Sequence, residues 1–523
     1  MTHKKTKAKL IWAVTSSGLD KLGVSAITKT ILHHHLDAVR MTYSQEAKKK
    51  FSLLREKLNS EFSGQENQPA EGHVPFLFNF VGRRAILSIP GNELEATDGQ
   101  LLQIQVSVDC KFCASSVITP STSKFLEIRV SHEDQIKNLV VNSKLSFSYG
   151  AAEAKVTEIT VNSKNNSVLL TCQVELGGLL LSGMDVTSPH MSTDLFPLLP
   201  EDEKTLADKD FSAIADYAIV GGINTAEELF LIKKAILQED AKLSKRHPSV
   251  SITNKILEKE AILAPRFLLK IDSARSLELL PSLLQFVDGV YLSRAELGQT
   301  NHPHNLPILQ KELVAQCNKM SKTIIVASEL MHSMCKNSNP TRAEVSDMAN
   351  AAADGADALA FSHAVTEGPH ANLVAQVSRE TLIDSEAWYE KKWRPFEMSH
   401  IPSDDDAVTY GAIRIAEQAK VRAIVCFTEG GYTAMKLSSL GTPTQIIAIT
   451  CNNKIMRQMN LLRSVTCALL DTKLQMEKIL QETKTILINN FNYKKGEKFV
   501  FVSLTASSVA ARNSNLFTLQ EID

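Results

Sequence analysis

Between Phe267 and Phe361 the chain repeats one pattern: a short apolar run of buried-strand type, a polar residue where it ends, then a helix-like segment. The runs are Phe267-Leu268-Leu269-Lys270-Ile271-Asp272, Val287-Asp288-Gly289-Val290-Tyr291-Leu292, Thr323-Ile324-Ile325-Val326-Ala327-Ser328 and Ala356-Asp357-Ala358-Leu359-Ala360-Phe361. Strand, helix, strand at this pitch predicts a parallel sheet covered on both faces. Over this many repeats a closed (β/α)8 barrel is the economical solution. In such a barrel the carboxyl ends of the strands form the active-site face, and Lys270, Asp272, Glu296 and Ser328 fall at such ends.

The rhythm extends in both directions. After a basic lead over residues 1–8, expected to lack structure, a strand is predicted over 9–15 and a helix over 19–34. A second strand over 36–41 carries Arg40, a helix follows over 45–62, and a third strand covers 76–80. From about residue 91 the texture changes to short alternating runs, such as Leu102-Gln103-Ile104-Gln105-Val106, separated by turn residues. Alternation of this kind predicts a small antiparallel β domain, inserted over residues 90–190 into a barrel loop. The βα rhythm resumes at Leu195, with a strand over 217–220 and a helix over 225–237. The barrel therefore divides into residues 9–89 and 191–400. A separate α/β domain over 401–523 is expected to alternate helices (407–419, 433–439) with strands (421–427, 445–450), ending on a last strand at 498–504.

Composition narrows the function classes. A formal net charge of -1 over 523 residues gives no reason to expect nucleic acid or an anionic membrane as partner. No segment approaches the length of a membrane span, and no apolar run follows Met1–Lys9 as a secretory signal would require. Eight cysteines scattered without a framework suit a reduced, cytoplasmic setting. Cys110 and Cys113 form a lone pair with no second half, which argues against zinc.

Five ordered blocks carry a resemblance. Thr341-Arg342-Ala343-Glu344, with Pro340 before it and Asp354-Gly355-Ala356-Asp357 after it, resembles the most recognisable block of pyruvate kinases. Lys270-Ile271-Asp272, Ser293-Arg294-Ala295-Glu296-Leu297-Gly298 and Val326-Ala327-Ser328-Glu329-Leu330-Met331 resemble three further blocks, and Leu36 to Ser44 resembles the first substrate loop. The resemblance implies a barrel, a β lid and a C-terminal α/β domain, assembled as a homotetramer; a mixed tetramer with a related subunit is the assembly expected of an inactive paralogue. It implies phosphoryl transfer from phosphoenolpyruvate to ADP, giving pyruvate and ATP. On it, Lys270 would lie against the moving phosphoryl group and Arg40 would clamp the phosphate. Asp272 and Glu296 would hold Mg2+ or Mn2+. The backbone at Ala295 and Glu296 would meet the substrate carboxylate, and Ser328 would help to protonate the enolate.

The chain also departs from the family pattern. The metal carboxylates are Asp272 then Glu296 where Glu then Asp is usual, and Ala295 replaces a glycine. At the expected monovalent-cation site Ser44 is retained, Thr42 replaces asparagine and Asn79 replaces aspartate. Phe80 removes a potassium ligand, and Ile86 removes an arginine that contacts phosphates. Potassium-independent family members carry a lysine at the position of Arg84, so Arg84 is expected to supply a tethered cation in place of K+. Thr428-Glu429-Gly430-Gly431-Tyr432-Thr433 resembles the effector-phosphate loop, with Thr428, Gly430, Gly431 and Thr433 as its candidates, but the second effector loop at 505–510 lacks its usual tryptophan and glycines. Two readings stay open: a kinase with a weakened nucleotide site, or a catalytically inactive paralogue with a structural or partner-binding role. A lyase sharing the barrel chemistry would leave the lid and C-terminal domain unexplained.

Overall fold

The computed structural model describes residues 6–42, 45–63, 74–80, 85–90, 93–108, 126–130, 136–147, 152–162, 167–181, 186–188, 198, 205–206, 209–223, 225–236, 264–392, 404–470, 476–503 and 516–523. Eight parallel strands close into the predicted barrel. They are β1 (Lys9–Val14), β2 (Ala38–Thr42), β3 (Phe76–Phe80), β4 (Tyr217–Val220), β5 (Arg266–Ile271), β6 (Gly289–Ser293), β7 (Thr323–Ala327) and β8 (Ala358–Ala360). Each pairs with its neighbours in sequence order, and β8 closes on β1 through Lys9↔Ala358.

Alternation along each strand builds two cores. Outward residues such as Trp12, Phe78, Phe267, Leu269 and Val326 pack under the surrounding helices. Inward residues, including Ile11, Leu77, Tyr217, Leu268, Tyr291 and Ile325, fill the barrel, and Leu461 of the C-terminal domain joins them. The helix expected over 19–34 is two helices, Ser16–Leu22 and Val24–His33, broken at Gly23 with φ 80°, a conformation that costs glycine nothing. Of the expected lead, Thr6–Ala8 belong to the fold: Thr6 and Ala8 are buried, and Glu386 accepts the backbone N–H groups of Lys7 (2.6 Å) and Ala8 (2.7 Å).

A repeated aspartate ties the strands in pairs at their amino ends. Asp37, Asp216, Asp288 and Asp357 each precede an even-numbered strand. Their carboxylates accept the N–H of Leu10 (2.9 Å), Phe76 (2.9 Å), Phe267 (2.8 Å) and Ile324 (2.9 Å) on the preceding strand. The aspartate N–H donates to the carbonyl of that same residue in every case. Each clamp satisfies backbone groups that the ladder leaves open at a strand end.

The insert has its own core and begins earlier than expected. Ala85–Ser88, assigned from sequence to the barrel segment, pairs with Leu126–Val130 in the insert's seven-stranded sheet. That sheet is antiparallel apart from the parallel pairing of Leu101–Val108 with Leu126–Val130. The C-terminal sheet runs, in spatial order, Val465–Leu469, Gln445–Thr450, Ala423–Phe427, Lys498–Ser503 and Leu516–Glu521. Lys498–Ser503 is not its last strand: Leu516–Glu521 follows as an antiparallel edge. This domain covers the amino-terminal mouth of the barrel, where Tyr217 donates to Gln458 O (2.6 Å) and Lys9 Nζ to Val465 O (2.9 Å). The carboxyl-terminal mouth carries the candidate site.

Candidate active site

The inward parity of β5 carries Leu268, then Lys270, then Asp272 just beyond the strand. Lys270 pairs in register with Tyr291 of β6, and the helix Arg294–Thr300 that follows β6 presents Glu296 in its first turn. Lys270 and Glu296 form an ion pair at the mouth. Burial pushes the Asp272 carboxyl up to about 6, and the charge of Glu296 adds to that shift, while Lys270 and the N–H of Gly222 act against it. Two carboxylates sharing a site beside one lysine are what a hard divalent cation would relieve. Among the described residues no cluster of three or more His, Cys, Asp or Glu side chains could hold a metal. A divalent cation held by Asp272 and Glu296 would complete its oxygen shell from water and substrate.

Space for Asp272 comes from Gly221, the residue just past β4. A side chain on Gly221 would overlap the Asp272 carboxylate and press on Lys270. Nothing local in the sequence announces this use of Gly221, which depends on β4 lying beside β5.

Arg40 stands on β2, on the opposite wall from β6. Its Nη1 donates to the Tyr291 hydroxyl across the barrel (2.7 Å). Tyr291 was not among the expected site residues. Its inward parity, in register with Lys270, was the one signal that could have found it.

Ser328, just past β7, has φ 69°, and Glu329 (58°) and Met331 (53°) share the left-handed region, a costly cluster for residues with side chains. The Ser328 hydroxyl donates to Ala327 O (2.7 Å) and accepts from Ala295 N–H (2.9 Å). The expected donor at Ala295 is therefore already engaged within the protein. Arg294 holds the same loop, reaching Ser328 O (2.8 Å), Asp347 (2.6 Å) and Gln310 (3.2 Å). Helix Arg342–Asp354 opens with a capping box, and its Glu344 accepts from Thr341 N–H and hydroxyl (2.8 Å each), Ser333 N–H (2.7 Å) and Ser333 hydroxyl (2.6 Å).

The expected monovalent-cation residues are only partly visible. Thr42 and Asn79 are register partners on β2 and β3. Asn79 Oδ1 is buried and has no hydrogen-bond partner among the described residues. Ser44 and Arg84 lie outside the described residues. Phe80 has outward parity and packs on Phe211 (centroids 5.6 Å apart), so its ring takes no part in the mouth. Another anion is already present there: Glu367 accepts from Thr15 N–H (2.6 Å) and hydroxyl (2.8 Å), where β1 ends. No local pattern announced that contact between distant parts of the chain.

In the C-terminal domain Thr428 and Thr433 are buried, and Thr428 Oγ1 accepts from Gly431 N–H (2.9 Å). Gly430 O accepts from Arg266 (2.8 Å), and a side chain on Gly431 would stand 2.5 Å from that guanidinium. These effector-loop candidates are thus joined to the underside of the barrel. The second effector loop at 505–510 and the Cys110–Cys113 pair lie outside the described residues.

Comparison with known proteins bears on the family and the fold. The family model for the pyruvate kinase barrel domain matches residues 90–373, and that for the pyruvate kinase alpha/beta domain matches residues 406–517. A curated protein named pyruvate kinase from Corynebacterium glutamicum is 27% identical over 383 residues, covering 73% of this chain and 74% of its own length. Another of that name, from Staphylococcus saprophyticus, is 27% identical over 365 residues, 69% of this chain and 56% of its own. A third, from Staphylococcus haemolyticus, is 27% identical over 334 residues, so the chain spans little more than half the length of the staphylococcal relatives. The barrel model alone covers more than half of the chain, and the closed barrel, inserted sheet and C-terminal α/β domain fit that fold: the chain belongs to the pyruvate kinase family.

Proposed function

We propose that the protein transfers the phosphoryl group of phosphoenolpyruvate to ADP at the carboxyl-terminal mouth of the barrel. The observation that carries this reading is the meeting of Lys270 and Glu296 in an ion pair beside buried Asp272, with Arg40 facing them from the far wall. Phosphoryl transfer asks a protein for positioning and charge neutralisation more than covalent chemistry. Lys270 would place its ammonium against the transferring group and the enolate oxygen, and Arg40 would hold the phosphate by its planar fork. Asp272 and Glu296 would hold Mg2+ or Mn2+, which supplies charge neutralisation at the phosphoryl oxygens. Ser328 would contribute by fixing the loop against Ala295, since its hydroxyl proton is committed to Ala327 O.

A coupled assay with phosphoenolpyruvate, ADP and Mg2+ or Mn2+ tests this. Turnover abolished by Lys270→Met supports the reading. One observation favours the second reading, an inactive paralogue: Ala295 N–H, expected for the substrate carboxylate, is already given to Ser328. Silence of the unaltered protein with either metal, together with cooperative unfolding, selects that alternative. Under both readings we expect a cytoplasmic homotetramer or mixed tetramer, to be measured by light scattering and co-purification. No helix among the described residues is long and apolar enough to cross a membrane.

A further inference from the structure

We propose that Tyr291 is a positioning residue for anion capture: its phenol crosses the barrel and sets the Arg40 guanidinium for a phosphate-bearing substrate. β2 and β6 are four places apart in the closed order of eight strands, so the two side chains come from opposite walls. They meet at 2.7 Å between Arg40 Nη1 and Tyr291 Oη, with the guanidinium carbon 5.8 Å from the ring centroid. The Tyr291 ring is 2% exposed and belongs to the interior cluster with Leu268 and Ile325. A ring held in a packed wall has little rotamer freedom, so its hydroxyl is a fixed point.

Phenylalanine would fill the same volume, and the hydroxyl is what distinguishes tyrosine here. A buried phenol needs a polar partner, and this one finds it in Arg40 rather than in the backbone. As acceptor, the tyrosine takes one of the guanidinium's five N–H donors and leaves others for an anion. A free arginine loses considerable side-chain entropy on gripping a ligand, and one already anchored loses less. Lys270 is the register partner of Tyr291, so the anchored guanidinium and the lysine share one mouth.

The proposal rests on the phosphotransferase reading for the identity of the anion alone. The test is calorimetric titration of the full chain with phosphoenolpyruvate and, separately, inorganic phosphate, both with Mn2+. Four proteins are compared: unaltered, Tyr291→Phe, Arg40→Met and the double variant, each with its thermal midpoint. We expect Tyr291→Phe to weaken anion affinity roughly tenfold, the size of a lost hydrogen bond to a charged group. In the Arg40→Met background the same change should have no effect. Where turnover is measurable, KM for phosphoenolpyruvate should rise more than kcat falls. Equal affinity of the unaltered protein and Tyr291→Phe overturns the proposal, as does an equal loss in both backgrounds, which would make the tyrosine a packing residue. Failure of the unaltered protein to bind either anion overturns it together with the kinase reading. Anion binding that follows the expected cycle without turnover supports the positioning role and removes only the kinase.

Discussion

A carboxylate fits at position 272 because position 221 carries no side chain. Gly221→Ala should displace Asp272 or strain β4, costing about 1–3 kcal/mol as overpacked sites do. Mn2+ affinity measured by titration should fall in the same variant, and unchanged metal binding would remove Asp272 from the candidate ligands. The monovalent-cation question also belongs to single residues. Asn79 Oδ1 is buried beside Thr42 with no hydrogen-bond partner among the described residues, and the sequence supplies Arg84 as a built-in cation nearby in the chain. Exchanging K+ for a tetraalkylammonium salt should leave the rate unchanged, and Arg84→Ala should make it depend on K+. Strict K+ dependence of the unaltered protein refutes the tethered cation.

At the scale of elements, the loop after β7 is held in a costly backbone by two helices. Arg294 and Ala295 hold it from one side and Glu344 from the other. Burial would raise the Glu344 carboxyl, but the donors at Ser333 and Thr341 outweigh it and keep the group below the usual carboxylate range. Thr341→Ala removes a helix cap and should cost about 1 kcal/mol. Glu344→Ala should cost more, about 2 kcal/mol, because it also frees Ser333. Hydrogen exchange separates the two: protection over residues 328–335 should drop in Glu344→Ala and hold in Thr341→Ala. The Thr341-x-x-Glu344 spacing is readable as a capping box without coordinates. Its second duty is not, because Ser333 reaches Glu344 from a separate 3-10 turn whose place depends on the barrel.

For the whole molecule, the junction under the barrel turns on Asp216. This fully buried carboxylate pairs with Arg55 (2.7 Å) from the helix after β2 and with Arg457 (2.8 Å) from the C-terminal domain. Burial would raise it, but Arg55, Arg457, the Phe76 N–H and Lys454 hold it below the ordinary value. A depressed folded-state pKa contributes stability above the unfolded value, about pH 4, and that stability disappears as the pH falls through the folded value. Asp216→Asn should cost about 3–5 kcal/mol at neutral pH, since it removes the countercharge from buried Arg55 and half-buried Arg457. Urea midpoints measured across pH should then decline less steeply below about pH 4 in the variant than in the unaltered chain. An equally steep acid decline in both would place the acid-labile contact elsewhere.

Strand, helix and strand order, the alternation that separates inward from outward residues, and the polar strand ends at Lys270, Asp272 and Ser328 were determined by the amino-acid sequence, because they follow from local periodicity. The aspartates before β2, β4, β6 and β8 are equally local in sequence, yet their clamps exist only between neighbouring strands. Closure of the barrel decided what spacing along the chain cannot encode. It brought Tyr291 to Arg40 across the interior, Gly221 beneath Asp272 and Glu367 to Thr15. These partners are set by a three-dimensional distance of a few ångströms, which tertiary packing alone creates between residues far apart in the chain.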